Sequence, residues 1–333
     1  MQTKKTEKNK RINKNTLFAA LRIFISVFLF TFLIARNWTN LRNILTLLKS
    51  YNPVFLITAV ALFVSGIIIQ MLRWDILLKA QEINISKSFL TQSYYIGYFY
   101  SNIFPTNVGG DIYRCYDIYK NKNVLLEKSM SAVIVERFIG LFSATFFVIL
   151  SFFSIYRYLN LTTILSLSVI PIGGAVLILA IMKPKTFKTG KLFQKVRFLR
   201  KFENGFHSFQ KHFGQYRDKK KYLLLSFSYS LLSQLIFFAS FYFANLYSKL
   251  SLGFFSFFFI NPIITLSANI PISIGGIGIR ENITVFLLRK FNIVESHSVI
   301  FALVILFIIM FNAFVGGITY VIKNIFYKSK GFL

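Results

Sequence analysis

The chain has 333 residues, of which 55% are hydrophobic and 18% aromatic, with 41 Phe and a formal net charge of +28. That composition excludes an ordinary soluble domain. The basic residues sit in loops between apolar runs, the pattern of a membrane protein facing anionic headgroups rather than that of a nucleic-acid binder. The single cysteine, Cys115, excludes an intramolecular disulfide and a thiolate cluster, and His207, His212 and His297 lack metal-ligand spacing, so neither metal nor cofactor is expected.

Residues 1–16 are rich in lysine and read as a basic cytoplasmic tail. Leu17 to Ala35 is the first apolar run, too long for a signal-peptide core and without a clean cleavage site, so a retained span is expected. Val54 to Leu72 follows Pro53 and ends at Arg73, Trp74 and Asp75, which read as an interface. Ser88 to Phe104 carries Gln92, several tyrosines and Asn102 and reads as a broken or re-entrant helix. Ala132 to Ser154 is a full span that holds Glu136 and Arg137 in its first turns.

Leu161 to Met182 is a further span with Pro171 inside it. Residues 183–221 form the most basic loop, with apolar residues from Leu192 to Phe213 stepping by three and four. This pattern predicts an amphipathic helix on the anionic cytoplasmic face or against the protein's own underside. Tyr222 to Ala244 is a span, Leu252 to Ile270 a second broken element, and Val285 to Leu288 too short to cross. Ser298 to Ile322 is the last span, with Gly316-Gly317 for close helix contact, followed by a cationic end at Lys323, Lys328 and Lys330, and residues 326–333 form a C-terminal tail.

A short pattern occurs twice. Pro105-x-x-x-Gly109-Gly110-x-x-x-Arg114 and Pro271-x-x-x-Gly275-Gly276-x-x-x-Arg280 share their spacing, and each follows an aromatic and small-polar stretch. With the basic segments all cytoplasmic, the crossings are 17–35, 54–72, 132–154, 161–182, 222–244 and 298–322. The first motif then enters from the cytoplasm and the second from outside. The expected fold is all-α, a polytopic transmembrane helical protein with two inverted re-entrant or broken-helix elements in one domain spanning 17–325. Both termini are expected in the cytoplasm, with the chain in the inner cell membrane.

Asp111, Arg114, Glu136, Arg137, Arg280 and Glu281 are charges within or beside apolar segments. A charge at the bilayer centre costs about 2.5–3.5 kcal/mol on insertion scales, so these should face an interior cavity and pair. One reading has Arg114 and Arg280, beside glycine turns, hold a phosphate, while the acids orient them, meet a cationic headgroup or carry a proton. The other has Asp111–Arg114 and Arg280–Glu281 simply neutralise each other. Asn102 and Ser273 add polar side chains, and Pro105, Gly109, Gly110, Pro271, Gly275, Gly276 and Gly278 supply the backbone breaks.

Three ordered motifs carry a resemblance: Asn102-x-x-Pro105-x-x-x-Gly109-Gly110-Asp111-x-x-Arg114, Glu136-Arg137-x-x-Gly140-Leu141, and Pro271-x-Ser273-x-Gly275-Gly276-x-Gly278-x-Arg280-Glu281. They resemble the transmembrane, flippase-like region of lysylphosphatidylglycerol synthases, over about residues 17–325. Glu136 stands where many relatives carry aspartate. The resemblance implies translocation of a phosphate-headgroup lipid between leaflets. The soluble aminoacyl-transferring domain is not in this sequence, so lysyl transfer is not expected of it. A membrane-embedded transferase on lipid-phosphate substrates and an accessory subunit of envelope lipid or polysaccharide synthesis are the alternatives, although no Asp-x-Asp pair and no activated nucleophile is evident. Membrane lipids are the expected partners, nucleic acid is not, and a homo-oligomer or an envelope-synthesis complex is left open.

Overall fold

The computed structural model describes residues 24–29, 31, 32, 35, 52–104, 108–155, 214–250, 252–268 and 273–329. The basic tail, most of the first apolar run, the 161–182 span, the basic loop as far as residue 213, Pro105, Pro271 and residues 330–333 lie outside them. The fold is all-helical among the described residues: α1 (Pro53–Ala80), α2 (Lys87–Ile103), α3 (Gly109–Lys122), α4 (Leu126–Ile155), α5 (Lys220–Tyr247), α6 (Phe254–Ala268), α7 (Ile279–Lys290) and α8 (Glu295–Ser329). Among the described residues four helical stretches are long and apolar enough to cross a membrane: Pro53–Ala80, Leu126–Phe147, Lys220–Tyr247 and Glu295–Ile325. They coincide with four of the six crossings expected from hydropathy, and the other two fall mainly or wholly outside the described residues.

Helix α1 starts where the sequence says it should. Asn52 Oδ1 accepts the Val54 N–H at 3.0 Å, and Pro53 occupies the first turn, where its missing N–H is not needed. It does not stop at Arg73, however. The helix runs on to Ala80, and Arg73, Trp74 and Asp75 are buried rather than interfacial. Helices α1 and α5 form the most extensive helix–helix seam, and they run antiparallel. Ser240 Oγ donates to Ala59 O at 2.7 Å, Phe237 lies over Gly66, and Arg73 Nη1 donates to Ser230 Oγ at 2.8 Å. Just before α5, the buried Tyr216 hydroxyl donates to Leu77 O at 2.8 Å, and burial raises its pKa above that of a free phenol.

Each proline-glycine motif joins two helices. Helix α2 ends at Ile103 and α3 begins at Gly109; α6 is described to Ala268 and α7 begins at Ile279, with a 3₁₀ turn at Ile274–Gly276 among the described residues before it. The first pair closes on itself as a tight hairpin, because a Cβ on Gly110 would overlap the Gly97 carbonyl oxygen and Ser101 Oγ.

One face of α8 holds this hairpin. At Gly316 the helix meets the Tyr95 backbone of α2, and a Cβ on Gly317 would lie 2.8 Å from the Phe99 ring. One turn on, the Tyr320 ring sits 5.6 Å from Tyr100 and 6.4 Å from Tyr113, centroid to centroid. A further turn on, Lys323 Nζ donates to both Asp117 oxygens, at 2.7 and 2.6 Å, and stands 4.3 Å from the Phe89 ring centre. Positions 316, 320 and 323 are a helical stripe that touches α2 and α3 three times. The Gly316-Gly317 contact matches the sequence expectation, whereas Lys323 is not a solvated cationic end.

Both partners of the Lys323–Asp117 pair are almost fully buried, at 6% and 4% side-chain exposure. Removing one partner strands the other charge, at about 3–5 kcal/mol. Asp117→Ala or Lys323→Ala should therefore lower the unfolding midpoint in detergent strongly, and the double substitution should be milder than the sum of the two, read as a double-mutant cycle.

Candidate functional site

The charges flagged in the sequence form two clusters. The larger one joins α1, α3 and α4 through Glu136, which is 2% exposed and whose two oxygens face different arginines. Arg73 Nη2 donates to Oε1 at 2.8 Å and Arg114 Nη1 to Oε2 at 2.9 Å. Arg114 Nη2 also donates to Asp111 Oδ1 at 2.6 Å, and Arg137 Nε donates to Asp111 Oδ2 at 2.6 Å. The result is an alternating chain, Arg73–Glu136–Arg114–Asp111–Arg137. Three guanidiniums against two carboxylates leave one net positive charge, and Arg137, at one end of the chain, has a side chain about half exposed (51%).

Packing fixes the middle of this chain. The Arg114 guanidinium lies 4.8 Å from the Trp74 ring centre and 4.5 Å from that of Tyr94. Gly97 leaves room for its methylenes, since a Cβ there would come within 2.9 Å of Arg114 Cγ. The Tyr94 hydroxyl lies 3.1 Å from Glu136 Oε1 and 3.1 Å from Gln70 Oε1. At the Arg73 end the network passes into hydroxyls: Ser230 and Ser143 are 2.6 Å apart, and Gln234 donates to Ser143. With both oxygens engaged by guanidiniums, Glu136 is a fixed counter-charge.

The second cluster belongs to α7. Arg280 Nε and Nη2 donate to Glu281 Oε1 at 2.9 and 2.5 Å, and the Gly278 N–H donates to Glu281 Oε2 at 2.6 Å. Arg280 is 4% exposed and Glu281 fully buried. The turn that delivers them is left-handed three times, with φ of 55° at Gly275, 76° at Gly276 and 85° at Gly278. Only glycine adopts these values without strain. Ser273, at the head of the turn, is 4% exposed, and its Oγ has no hydrogen-bond partner among the described residues. Asn282 Nδ2 reaches Leu29 O at 3.2 Å, tying α7 to the first apolar run.

The two motifs meet. A Cβ on Gly275 would lie 3.3 Å from Asn102 O and 3.4 Å from Asn102 Oδ1, so the end of α2 rests against the second glycine turn. Their arginines are nonetheless placed differently. Arg114 lies in the second turn of α3, whereas Arg280 is the second residue of α7, beside its N-terminus. Arg114 is tied to two carboxylates from two helices, Arg280 to its chain neighbour alone among the contacts above. Three participants escaped the sequence reading: Arg73, Tyr94 and the Asp117–Lys323 pair. Arg73 could have been found, because Gly66, Gln70, Arg73 and Leu77 share one face of α1 that is otherwise turned inward. Among the described residues no group of His, Cys, Asp and Glu is arranged to hold a metal ion.

Several spanning helices enclosing buried arginine–carboxylate clusters at glycine-broken helix pairs define an integral membrane protein with a polar interior. The chain belongs to the family described as the lysylphosphatidylglycerol synthase TM region, whose model matches residues 19–316. It is similar to a UPF0104 membrane protein of Methanothermobacter thermautotrophicus, 28% identical over 116 residues, a stretch that covers 34% of each chain. A UPF0104 membrane protein of Pyrococcus horikoshii is 25% identical over 117 residues, 34% of this chain and 35% of the relative. The match thus spans about a third of these relatives.

The network makes a sharp stability test. Glu136→Ala leaves Arg73 and Arg114 buried beside each other without their shared carboxylate, and should destabilise by about 3–5 kcal/mol. Reversible unfolding in mixed micelles should register it as a large drop in midpoint.

Proposed function

We propose that the protein moves a lipid with a phosphate-containing headgroup between membrane leaflets, through a polar path lined by the two glycine motifs. The observation that carries this reading is the meeting of the two broken-helix elements at Asn102 and Gly275, with a buried arginine beside each. Helices broken at membrane depth are tolerated where protein or a water-filled cavity covers them, and paired breaks of this kind line substrate paths in transporters. Family membership supports the reading.

In this scheme the two motifs re-enter the inner membrane from opposite faces, with both termini cytoplasmic. Arg280 is the headgroup contact, because its partner lies on the same turn and its guanidinium can exchange one anion for another. Arg137 brings the excess positive charge of the larger cluster to the path. Arg114, Asp111 and Glu136 hold the first element in place and set its field, Asn102 and Ser273 supply uncharged polar contacts, and Pro105, Gly109, Gly110, Pro271, Gly275, Gly276 and Gly278 shape the backbone. Membrane lipids are the partners, and anionic headgroups on the cytoplasmic face neutralise the basic loop. A homo-oligomer or an envelope-synthesis complex would work with the same path.

Leaflet reporting in liposomes that contain only this protein tests the proposal, with headgroup-labelled phosphatidylglycerol, its aminoacylated form and a polyprenyl-phosphate sugar as probes. One lipid class should exchange, and exchange should fall at least tenfold in Arg280→Lys, which keeps the charge but loses the planar fork. Folded protein that moves none of them, or an Arg280→Lys protein with full activity, would overturn the assignment.

A further inference from the structure

Glu281 holds the position that an anionic ligand of this turn would take. Its carboxylate receives the Gly278 N–H at 2.6 Å and Arg280 Nε and Nη2 at 2.9 and 2.5 Å. A backbone N–H at a helix start, flanked by left-handed glycines and an arginine fork, is a donor set that suits phosphate oxygens. The helix behind it, Ile279–Lys290, is three turns long. A second observation points to a ligand larger than a carboxylate. Ser273 Oγ is buried at the head of the same turn with no hydrogen-bond partner among the described residues, and a buried hydroxyl left unsatisfied is destabilising. Two carboxylate oxygens leave that hydroxyl unmet, whereas a tetrahedral phosphate has further oxygens with which to engage it.

We infer that Glu281 is an internal stand-in for a phosphate group, and that a phosphate ligand binds this turn by displacing the Glu281 carboxylate from Arg280 and Gly278 and engaging Ser273. The contact of Gly275 with Asn102 lies at the other end of the same turn. The Arg280–Glu281 pair is neutral, so with Glu281 in place the turn presents no stranded charge to the bilayer interior, and the arginine becomes available only when an anion replaces the glutamate. The larger cluster offers no such exchange, because each of its carboxylates bridges two arginines. This inference rests on the reading of Arg280 as the headgroup contact.

The test is calorimetric titration of the full chain in detergent with two probes, dihexanoylphosphatidylglycerol and inorganic phosphate. Glu281→Gln removes the competing charge and should tighten binding of a phosphate probe about tenfold or more. Tightening with the lipid alone assigns the phosphate to a lipid headgroup, and equal tightening with both assigns it to a free phosphate. Unchanged or weaker binding by folded Glu281→Gln protein, or no binding by either protein, overturns the inference.

Ser273→Ala provides a second arm should Glu281→Gln fail to fold. Its hydroxyl has no partner among the described residues, so the unfolding midpoint should hold or rise, while probe affinity falls about tenfold. Equal affinity overturns the inference. Tightened binding by Glu281→Gln without lipid movement in liposomes would sink the translocation reading and leave the displacement standing. Lipid movement with no tightening would do the reverse.

Discussion

The structure depends on one carboxylate. Glu136 sits at the crossing of α1, α3 and α4 with an arginine on each oxygen, and it is the contact through which three helices share one charge balance. In a medium of low dielectric such a group is unforgiving, since each guanidinium is there only because the carboxylate is, and the reverse holds too. The aromatic walls around Arg114, from Trp74 and Tyr94, keep competing water away and fix the guanidinium's plane.

Close approach does for the backbone what Glu136 does for the side chains. Gly97 against Gly110 closes the α2–α3 hairpin, and Gly316-Gly317 brings α8 onto its outer face. Helices in a bilayer gain little from burying one apolar surface against another, so backbone proximity and polar contacts decide which helices associate. The Tyr100–Tyr113–Tyr320 group and the Lys323–Asp117 pair supply those contacts along the same stripe of α8. The hairpin is held at three levels of α8, and α8 also packs against α7, so both broken elements share one helix.

The two motifs are alike in sequence and unlike in use. Helix α3 begins at the first glycine of its pair, which carries Arg114 into the second turn, where it reaches across to α4. Helix α7 begins three residues after its glycine pair, which leaves Arg280 at the helix start beside its own glutamate. The difference comes from where the left-handed glycines fall, since Gly278 adds a turn that the first motif has no glycine to make. One arginine is therefore a strut, and the other is placed to change partners.

The sequence by itself determined the helical membrane class, the four described crossings, the positions of both breaks and six of the charges that pair. These follow from local rules: an apolar run of sufficient length must span, glycine and proline must interrupt, and an intramembrane charge must find its opposite. It did not determine the pairing itself. Asp111–Arg114 reads as a closed local pair, yet the fold recruits Glu136 and Arg137 to it, and Arg73 passes from a supposed interface to the core because α1 continues two turns further. Lys323 reads as a cationic end until α3 brings Asp117 to it from 206 residues away. Which charge meets which is set by the angle and depth at which helices pack, and no local pattern encodes a distance between helices. Only the tertiary structure decided that.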